Sequence, residues 1–103
     1  IPIHFRQFLD DVKYWIDHET YPADEIATRF HHRLVQIHLF PNGNGRHARV
    51  MTDVLLEKLF EKEPFTWGSG SLIEDSGVRK KYIDALRSAD NHDYKYLLNF
   101  VRS

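Results

Sequence analysis

Apolar residues at Phe5, Phe8, Leu9, Val12, Trp15 and Ile16 recur at spacings of three and four, which predicts an amphipathic helix over residues 3–19. Pro22 suits the first turn of a second helix, and Asp24 and Glu25 are favoured near its positive end. Ile26, Phe30, Leu34 and Ile37 form one stripe of that helix, which runs to about residue 38. Residues 39–45 break the pattern, because Pro41 biases Phe40 out of the α region and two glycines follow. A third helix is predicted from near Gly45 to about Glu61, with Val50, Met51, Val54, Leu55 and Leu59 as its buried side. Residues 63–75 read as a Gly/Ser-rich loop containing Pro64, Trp67, Gly68 and Gly70. Ser76 is the expected N-cap of a fourth helix over 78–89 that buries Val78, Tyr82, Ile83 and Leu86. A break at 90–93 and a short helix at 94–101 complete the chain. No stretch alternates as a strand would, so the predicted fold class is all-α, a compact helical bundle.

Composition narrows the function classes. The 103 residues bound the chain to one domain, 1–103, and 42% apolar content with 28% charge excludes wholesale disorder. A net charge of −1 leaves no basic field to attract nucleic acid or anionic lipid. With no cysteine, disulfides, thiolate zinc sites, iron–sulfur clusters and Cys nucleophiles are excluded, and a reducing, cytoplasmic location is expected. No apolar run approaches the ~18–20 residues of a membrane span, and no signal-peptide pattern is present. The chain opens Ile1-Pro2-Ile3 without Met, which reads as a fragment.

The chemistry is concentrated in His38-Leu39-Phe40-Pro41-Asn42-Gly43-Asn44-Gly45-Arg46-His47-Ala48-Arg49. One helix ends at an imidazole, a loop with two glycines follows, and a new helix begins at an arginine. Glycines let backbone N–H groups converge on an anion, and a helix N-terminus adds unsatisfied donors. Arg46 and Arg49, three residues apart, can reach one polyphosphate, and Asn44 can add its amide. His38 stands at the rim as a base suited to proton transfer near neutral pH. The residues by themselves leave two readings open: a phosphate cradle with a base beside it, or a plain turn between helices.

The stretch resembles the signature H-x-F-x-[DE]-G-N-G-R-x-x-R of the Fic/DOC family, with His38, Phe40, Gly43, Asn44, Gly45, Arg46 and Arg49 matching. The preceding residues 31–37, His-His-Arg-Leu-Val-Gln-Ile, resemble the helix that leads into that motif. Phe65-Thr66-Trp67-Gly68 and Tyr82-Ile83-Asp84-Ala85-Leu86 extend the likeness toward the "mobile mystery protein B" branch. The resemblance implies a Fic-type helical bundle with its active-site loop between two central helices. It implies transfer of AMP from ATP to a Ser, Thr or Tyr hydroxyl of a target protein (AMPylation). On that reading His38 is the general base, and Gly43, Asn44 and Gly45 hold the α- and β-phosphates. Arg46 clamps phosphate during attack, Arg49 holds the distal phosphate, and Phe40 anchors the loop in the core.

Leu39 replaces a proline common in the family, which alters loop stiffness. Asn42 stands where the family places an acid that binds Mg²⁺, and an amide oxygen is a weaker ligand for a hard cation than a carboxylate. Mg²⁺ is therefore expected but weakly held. Doc-type relatives that also lack the acid transfer phosphate, which makes a Doc-like phosphotransferase toxin the alternative. A nucleotide- or partner-binding module of low activity is the third reading. The family's target-binding flap and further helices would precede Ile1. No window fits the inhibitory pattern [ST]-x-x-x-E-[GN], so inhibition is expected from the missing N-terminal part or from an antitoxin chain.

His31, His32, His38 and His47 do not amount to a zinc site, since imidazoles without Cys or a placed carboxylate rarely close one. His31 and His32 are expected either at the solvent edge or just behind the site, and His47 either at the nucleotide pocket or on the surface. Arg79-Lys80-Lys81 reads as a solvated helix face. Trp67 either covers the core or closes over a nucleotide.

Overall fold

Helical periodicity translates into five α-helices in the computed structural model, which describes residues 3–37, 44–69 and 76–103. They are α1 (Ile3–Asp17), α2 (Ala23–Ile37), α3 (Asn44–Leu59), α4 (Ser76–Asp90) and α5 (Lys95–Val101), with a 3₁₀ turn at Trp67–Ser69. No strand occurs among the described residues, so the chain is all-α. None of these helices is long and apolar enough to cross a membrane. The chain divides into two compact units, Ile1–Pro64 and Phe65–Ser103.

In the first unit α2 is central. It packs against both α1 and α3, and seven of its residues, from Ile26 to Leu34, are buried. Phe30 meets Phe8 of α1 with ring centroids 5.3 Å apart, and Arg33 lies over the same Phe8 ring. Pro22 sits just ahead of α2, not inside its first turn, and its carbonyl accepts the Ile26 N–H at 2.9 Å. Asp24 and Glu25 occupy the first turn as expected. Glu25 pairs with Arg29 at 3.0 Å, and Asp24 receives Lys62 at 2.8 Å, which ties the start of α2 to the segment after α3.

The buried side of α3 differs from expectation. Leu55 is buried, but Val50, Met51, Val54 and Leu59 are 56, 39, 43 and 59% exposed. The face turned inward is Ala48, Thr52, Leu55 and Leu56. Ala48 and Thr52 are small or polar, so hydropathy ranking alone overlooks them although both are buried. Leu9 of α1 is likewise exposed, while Phe8 beside it is fully buried.

The second unit is held by α4, α5 and the 3₁₀ turn. Tyr82, Ala85 and Ala89 of α4 and Leu97, Phe100 and Val101 of α5 are buried, and the Tyr82 and Phe100 rings lie 5.5 Å apart. Trp67 is buried edge-on against Phe65, so the core-covering role is the one observed. Thr66 fastens this turn to the end of α5, its N–H donating to the Val101 carbonyl at 2.8 Å. Ser76 is the first residue of α4 and not its cap. Arg79, Lys80 and Lys81 are exposed, and Lys80 reaches Asp84 at 3.6 Å, as for a solvated face.

Candidate functional site

Two helices bracket the motif: α2 ends at Ile37 and α3 begins at Asn44. His38, Phe40, Asn42 and Gly43, together with the other residues of 38–43, lie outside the described residues. Asn44 and Gly45 open α3, so the backbone N–H groups of its first turn have no partner within the helix and carry its partial positive charge. Arg46 follows in that turn and is exposed, and Arg49 lies in the next and is half-buried. Their separation of three puts both guanidinium groups on neighbouring rows near the positive end of α3. No acidic residue occupies the first turn of α3. His47 is half-buried between them in the chain.

Behind this turn lie the two adjacent histidines. His31 and His32 are 0 and 2% exposed, so the solvent-edge position expected as one option for them is incorrect. Neighbouring residues on a helix do point apart, yet α2 packs against both α1 and α3, and both side chains are buried. The pKa of His31 is lowered from 6.5 to about 3, chiefly by burial and further by its neighbours Arg49 and His32. A hydrogen bond to the Ala48 backbone opposes that shift only in part. Thr52 Oγ donates to the Ala48 carbonyl at 2.6 Å. Sequence reasoning passed over Ala48 and Thr52. Their one signal is two small residues four apart on a helix otherwise lined with larger side chains.

No group of three His, Asp or Glu side chains able to hold a metal gathers among the described residues. A cavity of about 550 Å³ lies elsewhere, in the second unit between α4 and α5, with Lys81, Asp84, Ser88, Tyr96 and Asn99 around it.

The sequence profile of the Fic/DOC family matches residues 2–56, which include the whole motif. The chain is similar to the protein adenylyltransferase Fic of Aedes aegypti, 29% identical over 98 residues that make up 95% of this chain and 17% of that protein. It is also similar to the protein adenylyltransferase Fic of Culex quinquefasciatus, 32% identical over 75 residues, 73% of this chain and 13% of that protein. The chain thus spans less than a fifth of the length of these curated relatives. No solved structure gives a significant match.

Proposed function

The chain belongs to the Fic/DOC family, and from that premise we propose that it transfers AMP from ATP to a Ser, Thr or Tyr hydroxyl of a protein target. The observation that supports the reading is the start of α3 at Asn44, so that a helix N-terminus, Arg46 and Arg49 coincide with the second half of the motif. In this reading His38 takes the proton of the target hydroxyl, whose oxygen attacks the α-phosphorus as the bond to the β-phosphate breaks and pyrophosphate leaves. The backbone of residues 43–45 with the Asn44 amide holds the α- and β-phosphates. Arg46 clamps phosphate during attack, and Arg49 holds the distal one. Phe40 anchors the loop. The branch assignment rests on Phe65-Thr66-Trp67-Gly68 and the 82–86 segment, and a cytoplasmic setting rests on the absence of cysteine. Residues 1–103 are taken as one Fic domain, with target flap and inhibitory element supplied by further chain or by a partner.

The donor set fits Mg²⁺ thinly. The motif offers the Asn42 amide in place of a carboxylate, and no acidic cluster gathers among the described residues to compensate. Mg²⁺ would then be held mainly by the phosphates of ATP, where it would neutralise their charge. Asn42 also favours a second reading, phosphoryl transfer in the Doc manner. Mass spectrometry of lysate proteins incubated with ATP and the chain, with the chain omitted as control, separates the readings. Added AMP on a hydroxyl is expected, added phosphate selects the second reading, and no addition contradicts both.

A further inference from the structure

The cavity of about 550 Å³ in the second unit has two helical walls. Lys81, Ala85 and Ser88 line it from α4, at the three-and-four spacing of one helix face, and Tyr96, Asn99 and Phe100 line it from α5 in the same way. Ala85 and Phe100 are buried, so the floor is apolar and belongs to the core, where the Phe100 ring also meets Tyr82. Tyr96 stands at the rim, 54% exposed. Two charged side chains border the hollow, Lys81 and Asp84. Asp84 is engaged by Lys80 at 3.6 Å. Among the described residues, Lys81 has no acidic partner, and neither the Ser88 hydroxyl nor the Asn99 amide has a hydrogen-bond partner. One uncommitted cation and two uncommitted neutral polar groups thus converge on an apolar floor beside an exposed ring. Small-molecule sites have this make-up, a largely apolar hollow of roughly 300–1,000 Å³ in which a few polar groups set the orientation.

We propose that this cavity binds a small ring-bearing monocarboxylate. The carboxylate lies at Lys81, the ring rests on Ala85 and Phe100 against the Tyr96 ring, and a polar substituent reaches Ser88 or Asn99. The charge set selects the ligand. Lysine is a point charge without the fork that grips a phosphate dianion, and no arginine lines the cavity. Asp84, on the same wall as Lys81, repels a second negative charge. A zwitterion would need a free acceptor for its ammonium group, and Lys80 already competes for Asp84. The site lies outside residues 2–56, which the family profile matches, and does not depend on the motif.

The test titrates the full chain with naphthoate and, separately, with naphthamide, and follows the backbone amide signals. Naphthoate should give saturable shifts in both walls, residues 81–88 and 96–103, with a dissociation constant of about 1 mM or below. Naphthamide keeps the ring and loses the charge, so it should bind about three- to tenfold more weakly. Lys81→Gln should bring naphthoate down to the level of naphthamide and leave naphthamide unchanged. Tyr96→Ala should weaken both. Lys81 and Tyr96 are exposed, so neither variant threatens the fold. No saturable shift in the two walls up to about 10 mM naphthoate overturns the proposal. Equal affinity for acid and amide overturns it too, as does a preference for the acid that survives Lys81→Gln. Inorganic phosphate binding at these residues as tightly as naphthoate would overturn the choice of a monocarboxylate.

Discussion

Arg46 and Arg49 are three residues apart on α3 yet differ in setting, the first exposed and the second half-buried beside the neutral ring of His31. Each charge-assisted contact to phosphate should be worth roughly ten- to a hundredfold in affinity. Calorimetric titration should therefore show ATP binding weakened in both Arg46→Ala and Arg49→Ala. AMP binding should suffer less from Arg49→Ala than ATP binding does. Equal ATP affinity in the wild type and both variants would remove the phosphate cradle. His31 supplies a second prediction, in pH. Its pKa falls from 6.5 in the unfolded chain to about 3 in the folded one, so between those values the unfolded chain binds a proton that the folded chain does not. The stabilisation is complete above about pH 6.5 and is lost as the pH falls toward 3, at up to about 1.4 kcal/mol per unit. The titratable groups that act on the ring are Arg49 on α3 and His32 on α2, and both favour its neutral state. Urea unfolding between pH 4 and 7 should show this slope in the wild type and a shallower one in His31→Leu. Equal slopes would mean that His31 titrates normally.

The ends of the helices obey a rule that the sequence conceals. After α1, the Thr20 N–H donates to the Trp15 carbonyl and the Glu19 N–H to that of Ile16, with Glu19 at φ 48. After α4, Asp93 donates to Ser88 and His92 to Ala89, with His92 at φ 66. Both are Schellman caps, normally completed by glycine in the left-handed position. The break at 90–93 was legible from its polar run, but the left-handed residue was not, because neither cap contains glycine. Glu19→Gly should raise stability by about 0.5–1 kcal/mol. Gly68 shows the opposite case. At φ 81 it is compatible with glycine, and an added Cβ would stand 2.7 Å from Phe100 Cε1 and 3.2 Å from Val78 Cγ1. Gly68→Ala should cost roughly 1–3 kcal/mol, read as a lower denaturant midpoint of the second unit. A neutral Gly68→Ala would mean that the Phe100 ring yields freely.

At the scale of the molecule, the family match at residues 2–56 falls within the first unit, while the second builds its own core from α4, α5 and the turn at Trp67. Helix number and approximate limits were legible because period and punctuation agree along the chain. The inward face of α3 was not, because Ala48 and Thr52 carry no hydropathy signal against Val50 and Val54. The motif was legible as a string, down to the arginine spacing. The surroundings of the motif were not: His31 and His32 are both buried, although their residue type leaves a solvent-edge position open.

The central claim is that the motif is an adenylyl-transfer site driven by His38. The most direct test is the rate at which label passes from α-phosphate-labelled ATP to protein in a cell lysate, for wild type and His38→Ala. Helicity and ATP affinity are measured on both. The account predicts a loss of roughly 10²–10⁴ in rate with fold and ATP affinity nearly unchanged. A His38→Ala chain that transfers label at the wild-type rate would contradict it.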